Sequence, residues 1–174
     1  AAREGIEPDM NLARTVFVHL CTRHSVVIVE GVGGVLVPLD RSTLVLDFAG
    51  QVGFPILVVC RAGLGTINHT LLTIREIERC KMPLAGIIMN ITSPLDAGMA
   101  HDIRGEIERI SGSKVLAVIP FLGQEEDTDA PRAPIVARAV AALVRQVDFR
   151  ALLGVEGMRK TYASGRFRRR RATD

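Results

Sequence analysis

Apolar and polar positions alternate along this chain in blocks. Short aliphatic runs recur at Val26–Val29, Pro55–Cys60, Pro83–Met89 and Val115–Ile119, each closed by polar or turn-forming residues. Runs this short and this uniformly apolar predict strands buried on both faces. Between them the apolar residues take helical spacing. Asp9 can cap a helix over Met10 to Arg23, with Leu12, Val16, Val18, His19 and Leu20 as an imperfect apolar face. Val35 to Leu39 is another apolar run, but its Pro38 suggests an exit from the sheet. Thr43 to Val52 reads as a short helix stopped by Gly53. Longer helices are predicted from Thr66 to Cys80, from Asp96 to Ile110 and from Ile135 to Gln146. Strands alternating with helices predict an α/β fold, a parallel sheet with helices on both faces.

In such a sheet, ligands meet the loops just beyond the carboxyl ends of the strands. Glu30, Arg61, Asn90 and Pro120 all stand at those ends. Glu30 is followed by Gly31, Val32, Gly33 and Gly34, where missing Cβ atoms let the backbone approach phosphate oxygens. A strand-end acid beside phosphate also suits Mg²⁺. The same residues equally suit a glycine turn with a solvated acid.

The 174 residues fit one domain, expected over residues 1–150. The net charge of +3 comes from the tail, where Arg166 and Arg168 to Arg171 place five positive charges; residues 151–174 are expected to be a disordered basic tail. The rest of the chain is near neutral, and the Arg166–Arg171 run has no aromatic interleaving beyond Phe167, so a solvated tail is expected over a nucleic-acid contact, which stays the weaker alternative. Cys21, Cys60 and Cys80 are odd in number and lack metal-ligand spacing, which reads as free thiols in a reducing compartment. No basic-then-apolar leader pattern and no apolar run of about 18–20 residues is present, so the expectation is a cytoplasmic protein with no membrane partner. The abrupt opening, with no initiator Met, suggests that the chain begins inside a longer protein.

Several pieces in order resemble dethiobiotin synthetase, an ATP-dependent family of P-loop enzymes. They are Val29-Glu30-Gly31-Val32-Gly33-Gly34 with Val37-Pro38-Leu39, Pro55 to Val59, Leu64 to Thr73, Leu84 to Asn90, and Ile119-Pro120-Phe121-Leu122. The resemblance implies carboxylation of 7,8-diaminononanoate with CO₂ and closure of a cyclic urea, using ATP and Mg²⁺. It implies that Glu30 helps hold Mg²⁺ and that Glu30, Gly31, Val32 and Gly33 lie along the nucleotide. It places Asn90, with Ile91 after it, at the adenine ring, and Pro120, Phe121 and Leu122 as the wall around the base, with Asp127 nearby. Leu64, Gly65, Thr66, Ile67 and Asn68 would receive the substrate carboxylate across a homodimer interface, where free N–H groups at a helix start favour an anion.

The chain also departs from that family. Its sequence holds no G-x-x-x-x-G-K-T phosphate loop. The family's catalytic lysine and second Mg²⁺-binding acid also precede the region matching Ala1, so no catalytic residue is assigned and the chain by itself is expected to be inactive. Ile91 stands where an Asp is often found. Alternatives are another P-loop amidoligase or ATPase, or a non-catalytic nucleotide-binding or dimerisation module. His69 reads as a packing or capping residue, because no acid–base partner adjoins it. His19, His24 and His101 lack ligand spacing, and the acidic stretch Glu125 to Asp129 reads as solvated apart from Asp127.

Overall fold

The structure, a computed structural model, describes residues 8–123, 133–149 and 152. They fall into two compact units that divide between Phe54 and Pro55.

The first unit is built on two helices, α1 (Met10–Arg23) and α2 (Val45–Val52). Helix α1 starts where its cap predicts: the Asp9 carboxylate accepts the backbone N–H groups of Asn11 and Leu12, both at 2.9 Å. Phe17 of α1 is buried and meets Phe54 edge-on, with ring centroids 5.2 Å apart. The Arg14 guanidinium of α1 donates to the Gln51 side chain of α2. Helix α2 ends on Gly53 in the left-handed conformation, the stop that the sequence predicts.

The strand expected at Val26–Val29 does not form. Those residues run irregularly, and Ile28 is 87% exposed. A strand exists only where a neighbour pairs its N–H and C=O groups, and among the described residues this segment has no ladder. Its apolar run records what it could bury, which is a separate matter from pairing. Regular bonding resumes at an antiparallel bridge between Pro38 and Leu44, where the chain reverses at Asp40. The Asp40 carboxylate accepts the Ser42 backbone N–H at 2.7 Å and the Thr43 hydroxyl at 3.1 Å.

The second unit is a three-stranded parallel sheet in the order β1 (Ile56–Arg61), β2 (Leu84–Asn90), β3 (Val115–Ile119). Helix α3 (Thr66–Arg79) connects β1 to β2, and α4 (Ala100–Ser111) connects β2 to β3. Strands added in one direction by right-handed crossovers place both helices on one face. There Ile74 and Ile77 of α3 and Ile107 of α4 are almost wholly buried. The helix expected from Asp96 begins later: Pro94–Asp96 form a 3₁₀ turn, with Ser93 capping it, and α4 starts at Ala100.

Strand β2 is buried on both faces, as its sequence predicts. Strand β1 is not. It lies at the edge of the described sheet, and its outer residue Val59 is 65% exposed while Val58 and Cys60 are buried. The last helix, α5 (Ala133–Gln146), packs on β3. No helix among the described residues is long and apolar enough to cross a membrane.

Candidate functional site

The register of the sheet sets the strand ends level. Arg61, Asn90 and Ile119 are partners across β1, β2 and β3. Partners in a parallel ladder point to the same face. Cys60, one residue earlier, points to the other face, where its thiol meets the Thr70 hydroxyl of α3; burial pushes that thiol up from its ordinary pKa. The strand-end residues therefore face away from α3, toward the side that α5 covers.

A cleft of about 290 Å³ opens there. It is lined by Asn90, Ile91, Pro120, Phe121 and Leu122, all five of them residues expected to surround a nucleobase. The backbone fixes their places. The Ala62 N–H donates to the Asn90 carbonyl at 3.1 Å, and the Ile91 N–H donates to the Ile119 carbonyl at 2.9 Å. Ile91 is buried. Ile119 and Gly123, which flank that wall, and Thr92, Ile135 and Ala139 complete the lining, and these five were not expected from sequence as site residues. For Ile135 and Ala139 a signal existed: they stand four residues apart on the inward face of an amphipathic helix. Nothing in that spacing names the loop they would face.

Leu64 to Asn68 lie at the opening of α3. Gly65 is its N-cap at φ 83°, a left-handed conformation that suits glycine. Leu64 is fully exposed, Thr66 is buried, and Asn68 is exposed. The first-turn N–H groups of a helix lack partners inside it, so this exposed turn can meet an anion.

Glu30 to Gly33 belong to the first unit. They follow the irregular segment, and Glu30 is exposed. Glu30 lines a separate cleft with Asp9, whose carboxylate caps α1, and with apolar residues, among them Leu12, Val16 and Leu20 of α1. Gly31 sits so close to Val45 that an added Cβ would lie 2.8 Å from its methyl, and Gly33 has φ 72°. Among the described residues no three or more of His, Cys, Asp and Glu gather as a metal cage. One exposed carboxylate fits the protein's share of a Mg²⁺ shell in which phosphate oxygens and water supply the rest. Asp127 and the arginine tail lie outside the described residues.

The geometry is that of a strand-end ligand site in an α/β sheet. A family model described as an AAA domain matches residues 1–129. The chain belongs to this family. Curated relatives of this AAA-domain chain carry a more specific name. It is 42% identical over 139 residues to an ATP-dependent dethiobiotin synthetase of Anaeromyxobacter dehalogenans strain 2CP-C, covering 79% of this chain and 60% of the relative. A protein of the same name from Anaeromyxobacter sp. strain K is 44% identical over 115 residues, 65% of this chain and 52% of the relative. One from Nitrosopumilus maritimus is 30% identical over 116 residues, 67% and 50% of the two chains. The AAA-domain chain thus spans between half and three fifths of the length of these relatives. The resemblance to dethiobiotin synthetases carried by its motifs agrees with them.

Proposed function

We propose that this chain supplies the nucleobase and substrate-carboxylate sites of a cytoplasmic, homodimeric, ATP-dependent dethiobiotin synthetase. One observation carries the reading. The level strand ends set Asn90 beside Pro120, Phe121 and Leu122 around a single cleft. Its size suits a base better than a whole nucleotide. The name shared by the curated relatives supports the same reading.

In the reaction proposed, one amine of 7,8-diaminononanoate adds to CO₂ and forms a carbamate. A carbamate oxygen attacks the γ-phosphorus of ATP, and ADP leaves. The neighbouring amine then attacks the carbonyl carbon, phosphate leaves with the C–O bond, and the cyclic urea closes. Asn90 carries both an amide donor and an acceptor, the pair that reads the adenine edge. Pro120, Phe121 and Leu122 hold the ring between apolar surfaces and exclude water. Ile91 offers no polar side chain, so base recognition falls on Asn90. The α3 opening, Leu64 to Asn68, receives the substrate carboxylate on the first-turn N–H groups beyond Thr66, whose own N–H donates to the Gly63 carbonyl. Glu30 would be a Mg²⁺ ligand, and that ion would neutralise charge on the phosphates. The groups that cradle the transferred phosphoryl in this family have no counterpart in the 174 residues, so this chain alone leaves the phosphorylation step uncatalysed.

The test is ATP-dependent conversion of 7,8-diaminononanoate and CO₂, assayed on this chain and on one extended at its N-terminus through a phosphate loop. Turnover in the longer form alone is the expected result. No turnover in either, with the longer form folded, overturns the reading in favour of a non-catalytic binding module.

A further inference from the structure

Helix α5 closes the cleft at the strand ends, and it is fastened at two points. Near its start the Arg138 guanidinium donates to the Leu122 carbonyl at 3.3 Å. At its end the Gln146 amide is bonded to the backbone of β3. On either side of Arg138, Ile135 and Ala139 line the cleft from the α5 side, both half-buried, while Val136 and Val140 are exposed. One wall of the cleft is thus a helix face fixed by the same chain, and one of its two lining residues has a side chain of one carbon.

We propose that Ala139 sets the size limit of the base cleft and that Arg138 is a positioning residue that holds the Pro120–Leu122 wall at its distance from α5. The proposal rests on the nucleobase reading of this cleft and deepens it. Three carbons added at position 139 would project into about 290 Å³ already shared with Phe121 and Leu122. A single extra methylene in a closely fitted pocket shifts discrimination by about tenfold or more. Arg138 acts through a carbonyl of the wall and does not line the cleft itself. A lysine could still donate to that carbonyl; a methionine could not.

The experiment is ligand-observed NMR titration of the 174-residue chain with adenosine, and with adenosine bearing an N6-benzyl group. Thermal melting of every variant is recorded alongside. Ala139→Leu is expected to weaken adenosine binding about tenfold with its melting temperature held. Ala139→Val, a smaller addition, gives the same comparison if Leu disturbs the helix. Arg138→Met is expected to narrow the preference for adenosine over its N6-benzyl form, and Arg138→Lys to restore it. If Asn90→Ala weakens adenosine but Ala139→Leu and Ala139→Val bind like the parent, the size-limit proposal is overturned and the base reading stands. If Arg138→Met leaves the preference unchanged, its positioning role is overturned. If the parent chain binds no adenosine, the base reading falls and the proposal with it.

Discussion

The side-chain amide of Gln146 bonds both backbone groups of Val118. The Val118 N–H donates to Oε1 at 3.0 Å, and Nε2 donates to the Val118 carbonyl at 3.0 Å. This is the bonding a further strand would offer, supplied by one residue at the end of α5. An open strand edge is a template for pairing with another chain, and the amide occupies it.

Replacing Gln146 with Leu removes both bonds. The expected cost is about 1–2 kcal/mol in urea unfolding, with more self-association in gel filtration. Gln146→Glu keeps the acceptor for the Val118 N–H but sets a carboxylate against the Val118 carbonyl. That variant is expected to be weakest at neutral pH and to recover as the pH falls through the carboxylate range, where a protonated acid can donate again. Equal stability of Gln146→Glu and its parent at neutral pH would contradict this account.

Gly65 opens α3 at φ 83°. Gly65→Ala is expected to cost about 1–2 kcal/mol, because a Cβ is disfavoured in the left-handed region. It should also weaken the binding of a medium-chain carboxylate to the chain, measured by calorimetry. A loss of stability with unchanged carboxylate affinity would separate the turn's structural part from an anion site.

Asp40 holds the reversal between Pro38 and Leu44. The Ser42 N–H, and then the Thr43 and Ser42 hydroxyls, hold its carboxyl below the ordinary aspartate pKa. A depressed folded-state pKa stabilises the fold above the unfolded value, and that contribution is lost as the pH falls through the folded value. Asp40→Asn should therefore melt below its parent near neutral pH, and the gap should close as the pH falls below the ordinary aspartate range. A gap that does not change with pH would show that the charge plays no part in the turn.

Much of this was legible because the signals are local. Helix α1 runs from Met10 to Arg23 and β3 from Val115 to Ile119, each as its spacing and flanking residues predict. Asn90, Ile91, Pro120, Phe121 and Leu122 share one cleft because strand ends in a parallel sheet share an edge. Apart from the late start of α4, where Pro94–Asp96 form a 3₁₀ turn, the misses are matters of neighbours. Among the described residues Val26–Val29 has the composition of a strand without a ladder, and β1 has the composition of a central strand while standing at the edge of the described sheet. Ile135 and Ala139 show their inward face in the sequence, but the partner of that face is set by the docking of α5 on β3, which no local pattern encodes.

The burial of Cys60 against Thr70 makes this thiol a timer for the opening of the sheet. An alkylating reagent reaches only a thiolate in contact with water. Cys21 and Cys80 are both half-buried and nearer the surface, so they should label first. Later labelling at Cys60, read by mass spectrometry, then gives the rate at which β1 separates from α3.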